Sequence, residues 1–185
     1  MTTENATTLF GLPTENLFSE NVQQQYDDTC AIKSQELILN SAGLNLTEDE
    51  LRNEAYQNGW YKPGQGTPME DVGKLLENHG MDVTQIEHGS MYNLVSELSK
   101  GHPVIVGVDS GELWNPGPDE TFEDLLRGQQ ADHALIVGGM DFNEDFTDGI
   151  VNIIDPGTGD YCAGYPINQF EDAWDDSGNF MVSIN

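Results

Sequence analysis

The sequence predicts an α+β fold, on three observations. Helical segments with their own start and stop signals fill the first hundred or so residues, β-branched apolar runs replace them after Pro103, and helices ahead of strands in this order segregate from the sheet. The first helix is expected to start at Thr29 or Cys30, run through Ile32, Ile38 and Leu39, and stop at Gly43, a residue type suited to a helix C-terminus. Thr47-Glu-Asp-Glu50 has the form of a capping box and opens a second helix through Leu51 and Ala55 to Gly59. Thr67-Pro-Met-Glu70 repeats the signal with proline at the first helical position, and Val72, Leu75 and Leu76 give a third helix an apolar face that ends at Gly80. Met91, Leu94, Val95 and Leu98 keep helical spacing after Ser90 and mark a fourth, closed by Lys100-Gly101.

The short run Val-Ile-Val-Gly-Val before Asp109 reads as a buried strand, and residues 133–140, 150–154 and 180–184 read alike. The polar segment 141–149 joins two of these strands as a hairpin loop, and a short helix is expected between Pro166 and Trp174. The long stretch from Ser110 to Ala131, with Gly, Pro and Trp114, is expected to be a functional rim. No internal repeat is present.

A chain of 185 residues is about one domain long and can bury a core without covalent staples. Residues 1–21 are rich in Thr, Asn and Glu with isolated apolar anchors at Phe10, Leu12 and Phe18, so a loosely ordered polar arm is expected there, with one domain over 22–185. The 33 acidic residues outnumber 6 scattered basic ones, for a net charge of −27. Such a surface repels phosphate backbones, which excludes nucleic acid as a partner, and it is above all a highly solvated surface suited to high ionic strength.

Cys30 and Cys162 are too few for a disulfide scaffold and lack the paired spacing of a structural zinc site. The start of the chain shows neither a basic segment followed by an apolar one nor a run long enough to span a bilayer. A cytoplasmic location is expected, or delivery outward without a Sec-type signal peptide, and no membrane partner. Oligomeric state is not legible.

The chemistry centres on Cys30. A thiol at a helix start is next to unpaired N–H groups and the positive end of the helix dipole, which favour the nucleophilic thiolate. An isolated cysteine there is more often a small buried hydrophobe, and His133 or Asp155 taken singly reads as a core histidine or a turn residue. Their joint placement is more specific. His133 opens one strand and Asp155 closes the next, so antiparallel pairing through the 141–149 loop brings both to one sheet edge. A base within hydrogen-bond reach of the thiol, held in its tautomer by a third group, is what nucleophilic attack on a carbonyl requires. Gln24 can then donate its side-chain N–H to the developing oxyanion beside the backbone N–H of Cys30.

Other motifs weigh less. Asp141-x-Asn143-x-Asp145 begins like a calcium loop, but Phe146 occupies its glycine position and Asn152 its terminal acidic position, so it reads as a solvated hairpin. His79, His88 and His102 show no ligand spacing to one another. Trp60, Trp114 and Trp174 read as core or groove walls. Cys162 reads as an inert, partly buried thiol, with pairing to Cys30 as a redox switch that would silence the nucleophile the lesser reading.

Gln24-x5-Cys30, His133-Ala-Leu-Ile-Val and Asp155-Pro-Gly-Thr-Gly together resemble the papain-like cysteine peptidases related to the double-glycine leader peptidases of bacteriocin exporters. Gly66-Thr-Pro, Gly101-His-Pro-Val-Ile-Val-Gly-Val-Asp, Ala131-Asp-His and Phe170-Glu-Asp-Ala-Trp174 extend the likeness to the stand-alone branch, over residues 22 to 185. The resemblance implies a papain-like fold, with a cleft between a helical half carrying Cys30 and an antiparallel sheet half carrying His133 and Asp155. It implies hydrolysis of peptide amide bonds through a thioester, with Cys30 as nucleophile, His133 as base and then acid, Asp155 as orienter and Gln24 as oxyanion donor. A peptide or protein substrate is expected, basic or glycine-ended, and no metal or organic cofactor. An amidase or transglutaminase-like acyl transferase can use the same triad, and a catalytically silent peptide-binding module can keep the same fold. The family usually carries glycine after the cysteine. Ala31 stands here, and its methyl group bears on which substrates enter. The exporter's phosphate-binding loop is absent from this sequence.

Overall fold

A computed structural model describes residues 8–12, 21–115, 131–146 and 148–185. Among them, seven strands form one antiparallel sheet: β1 (Thr8–Gly11), β2 (Val83–Ile86), β3 (Val104–Val108), β4 (His133–Phe142), β5 (Gly149–Asp155), β6 (Asp160–Pro166) and β7 (Met181–Ile184). Their order is β2-β7-β3-β4-β5-β6, and β1 pairs with β4 beyond the end of β3. Six α-helices among the described residues accompany the sheet: α1 (Cys30–Ser41), α2 (Glu48–Asn58), α3 (Lys74–Asn78), α4 (Met91–Ser99), α5 (Ser110–Trp114) and α6 (Ile167–Asp175). The architecture is the α+β one expected.

Alternation along the central strands divides the interior into two cores. Ala134 and Ile136 of β4 join Ile105, Ile154 and Val182 against α1, α2 and α3. Leu135 and Val137 join Val106, Val108 and Ile153 against α4, α5 and α6, where Phe170 and Trp174 are the largest side chains. The sheet is thus a middle layer, and α1 is its innermost helix: every residue from Ala31 to Leu39 is buried. Burial on all sides encloses polar groups as well, and several find partners: Lys33 pairs with Glu36 at 3.0 Å, and the Gln35 amide bonds the Ala31 carbonyl at 3.0 Å, whereas the Ser34 hydroxyl has no hydrogen-bond partner among the described residues.

Local signals fix most helix ends. Thr47 and Glu50 form the reciprocal capping box of α2, and Gly59 ends that helix in the left-handed region at φ 79°. Ser90 caps α4, and Asp109 caps α5 by accepting from the N–H groups of Gly111 and Glu112. The expected third helix divides into a 3-10 turn, Met69–Asp71, and α3. The break is at Gly73, φ 103°, whose N–H donates to the Gln35 side-chain oxygen at 3.0 Å, as does that of Leu75 at 3.2 Å. A side chain of the buried helix, not a local residue, therefore starts α3.

Several strands lie outside the sequence reading. β1 pairs Thr8 with Phe142 and Gly11 with Gly139, so part of the expected polar arm is an added strand; residues 1–7 and 13–20, Phe18 included, lie outside the described residues. β2 and β6 are the two ends of the sheet, and β6 carries Asp, Gly and Pro with most of its residues exposed. The expected rim at 110–131 begins as α5, and 116–130 lie outside the described residues. In the β4–β5 hairpin Asp141 accepts from the Asn152 amide at 2.7 Å and Asn143 accepts from the Asp148 N–H at 3.3 Å. No helix among the described residues is long and apolar enough to cross a membrane.

Candidate active site

β4 and β5 pair antiparallel, with Ile136 opposite Ile154, so the first residue of β4 and the last of β5 meet at one end of the sheet. His133 and Asp155 are those residues, and the histidine Nε2 lies 2.7 Å from Asp155 Oδ1. Both are buried, the aspartate completely. Three donors hold this carboxylate. Oδ1 takes the His133 ring N–H and the Gly157 backbone N–H at 2.8 Å, and Oδ2 takes the Trp114 indole N–H at 2.9 Å. Burial alone would raise the Asp155 pKa, but the His133 hydrogen bond and charge, with the Gly157 and Trp114 donors, hold it below the ordinary carboxylate value.

With Nε2 turned to Asp155, Nδ1 is the nitrogen left for the other side of the ring, where Cys30 is. Burial pushes the imidazole toward neutrality, yet the hydrogen bonds to Asp155 and to Cys30, with the charges of both, outweigh it and raise His133 to about 10. The Trp114 ring covers the imidazole with centroids 5.2 Å apart. Gly157 packs so close that a Cβ there would stand 3.0 Å from His133 Cε1 and 3.0 Å from Trp114 Cη2, which explains why this turn carries no side chain.

Cys30 is the first residue of α1 and is partly exposed. The preceding loop is tied down at each residue but one. Gln24 N–H donates to the Pro156 carbonyl at 2.9 Å, joining the loop to the turn after Asp155. The Gln24 carboxamide nitrogen donates to the Tyr26 carbonyl at 2.7 Å, while its oxygen is buried without a hydrogen-bond partner. Asp28 accepts from the Tyr61 hydroxyl and the Gly64 N–H, and Thr29 is fully buried with its hydroxyl 2.5 Å from Glu48. Cys30 and His133 line one cleft of about 320 Å³, floored by Ala31, Val72, Ile105 and Phe180 and edged by Asp27, Asp28 and Asp132. Gln24 is not among the residues that line this cleft. Cys162, expected to be partly buried, is instead exposed on the edge strand β6, and it forms no disulfide with Cys30.

Three contributors escaped the sequence reading. Trp114 was read as a wall, yet it bonds Asp155 across 41 residues of chain. Gly157 was readable only as part of a Pro-Gly turn, and Glu48 only as the first-turn acid of a helix.

Residues 18–182 match the model of the Peptidase_C39 like family. A search of curated proteins finds no match. Among solved structures, the fold resembles that of a candidate C39-like peptidase from Bacillus anthracis, with a TM-score of 0.66 and 16% identity over 90% of this chain and 94% of that one. The peptidase domain of Streptococcus ComA, a bifunctional ABC transporter of a quorum-sensing pathway, superposes with a TM-score of 0.58 and 15% identity, covering 88% and 94% of the two chains. A double-glycine-motif protease from an AMS/PCAT transporter, solved with its leader peptide, gives 0.54 and 12%, covering 91% and 92%. A matched family model spanning nearly the whole chain, on a helix-and-sheet frame shared with these structures, makes this protein a member of the Peptidase_C39 like family and a cysteine peptidase of papain-like fold.

Proposed function

We propose that the protein hydrolyses peptide bonds with Cys30 as nucleophile, His133 as acid and base, and Asp155 as the group that orients His133. The observation that carries this reading is the chain of contacts from Asp155 Oδ1 through the His133 ring to Cys30, opening onto one cleft. The Cys30 thiolate adds to the scissile carbonyl carbon and the carbonyl electron pair moves to oxygen. The Cys30 backbone N–H and the second hydrogen of the Gln24 carboxamide stabilise that charge, the first hydrogen being committed to the Tyr26 carbonyl. The imidazolium gives its proton to the leaving amine as the C–N bond breaks, leaving a thioester. Water then loses a proton to His133, attacks the thioester, and releases a free carboxylic acid and the thiolate.

A leader-type peptide with two glycines before the cut is the substrate class, by analogy with the double-glycine protease captured with its leader. Asp27, Asp28 and Asp132 at the cleft edge favour basic residues nearby. Peptides with and without a Gly-Gly pair, each in basic and acidic versions, test this by mass spectrometry. Cleavage after Gly-Gly to a free acid is expected, fastest for the basic peptide, with a loss of about 10⁴-fold or more in Cys30→Ala. An amine-coupled product points to acyl transfer instead, and cleavage by Cys30→Ala at the parent rate removes the reading altogether.

A further inference from the structure

Glu48 is a carboxylate with 1% exposure, placed by the first turn of α2 directly behind the loop that leads into Cys30. Both of its oxygens lie 3.0 Å from the Gln25 backbone N–H, and Oε1 lies 2.5 Å from the Thr29 hydroxyl. The hydroxyl has one proton and two neighbouring acceptors, Glu48 and the Tyr26 carbonyl at 2.9 Å. The carbonyl already receives the Gln24 carboxamide at 2.7 Å, so the proton goes to the closer, charged oxygen. Glu48 therefore grips the residue after Gln24 and the residue before Cys30. The same turn holds what lies between: the Tyr26 hydroxyl donates to Asp49 at 2.7 Å, and the Arg52 guanidinium lies 4.2 Å above the Tyr26 ring.

A carboxylate removed from water carries a desolvation cost that a merely space-filling residue avoids. Here its bonds end on one short loop, and that loop carries the two groups assigned above to the oxyanion, the Cys30 backbone N–H and the Gln24 carboxamide. We propose that Glu48 is a positioning residue that sets the spacing of these two oxyanion donors, so that α2 tunes the reaction without touching substrate. This rests on the assignment of Cys30 and Gln24 given above.

Two reagents separate the thiol from the oxyanion site. Iodoacetamide alkylates the thiol without generating an oxyanion. A peptide aldehyde ending in Gly-Gly-al adds the sulfur to its carbonyl carbon, and the resulting hemithioacetal oxygen needs both donors. The measurement is the aldehyde concentration that halves Cys30 alkylation, read by intact mass well below the melting temperature. In Glu48→Gln the charge is lost and one oxygen becomes an NH₂ facing the Gln25 N–H, so the half-protecting concentration should rise about tenfold while alkylation without aldehyde stays within about twofold. Thr29→Val, which removes only the hydroxyl link, should shift it about threefold the same way, and this variant decides the matter should Glu48→Gln fail to fold. Aldehyde protection unchanged in these variants, whatever their melting temperatures, overturns the positioning role and leaves the peptidase reading intact. An unmodified protein whose Cys30 the aldehyde does not protect overturns that reading instead.

Discussion

The two sides of the cleft are built by different means. On the sheet side, His133 and Asp155 occupy paired strands, buried among groups that donate to both oxygens of the carboxylate. On the helical side, the approach to Cys30 has no regular structure and is held by separate side-chain bonds from α2 and from Asp28. The sheet gives rigidity through backbone register, whereas the loop depends on a few charged groups that each tie it at one or two points. Damage on the sheet side should therefore be large and local, and damage on the loop side graded.

The comparison is broken most severely at Asp155. Asp155→Asn can keep an oxygen toward His133 and Gly157, but its NH₂ then faces the Trp114 indole N–H, donor against donor. A fall in kcat of about 10²-fold or more is expected, from the lost charge and an unsatisfied buried donor worth about 1–3 kcal/mol. Adding Trp114→Phe removes the clash, so the double variant should regain part of the loss. A double variant no better than Asp155→Asn would show that Trp114 matters only as a cover.

Gly157→Ala is smaller. Its methyl group meets His133 and Trp114 at 3.0 Å, and displacing the imidazole by a few tenths of an ångström should lower kcat/KM about tenfold with little change in KM. Unchanged kcat/KM would mean that the turn yields and that the sheet side is softer than its burial indicates.

The mildest test sharpens the contrast through pH. His133 is raised from 6.5 to about 10, so its bonds to Asp155 and Cys30 stabilise the fold fully below pH 6.5, and that contribution is lost as pH rises through about 10. Asp155 is lowered below 3.8, so its contribution is complete above that value and is lost as pH falls below it. The melting temperature gap between the parent and His133→Phe should accordingly be widest between these limits and narrow on both sides, by a few degrees. A gap that stays constant from pH 6 to pH 11 removes the imidazolium from the site.

Much of this was legible because it is local. Capping residues, the Gly59 stop and the β-branched runs state their structure within a few positions, and the placement of His133 and Asp155 follows from two strands and a hairpin. What the sequence did not disclose depends on distant neighbours. α3 starts where Gln35 reaches Gly73, across 38 residues. β6 has an edge composition, with no buried face to impose alternation. β1 looked like part of a polar arm because its partner, the far half of β4, lies at the other end of the chain. Trp114 and Glu48 carry ordinary residue types for a loop wall and a helix start, and only the fold turns them toward Asp155 and Thr29.

The order of these pieces along the chain has a consequence for biosynthesis. The thiol leaves the ribosome early, on a helix whose helical neighbours α2 and α3 follow soon after it, while the imidazole and its carboxylate follow only with β4 and β5. The first strand must also wait for Phe142 before it can dock. A nascent or prematurely ended chain thus carries an unpartnered sulfur, and the reactive pair comes into being only when translation is nearly finished.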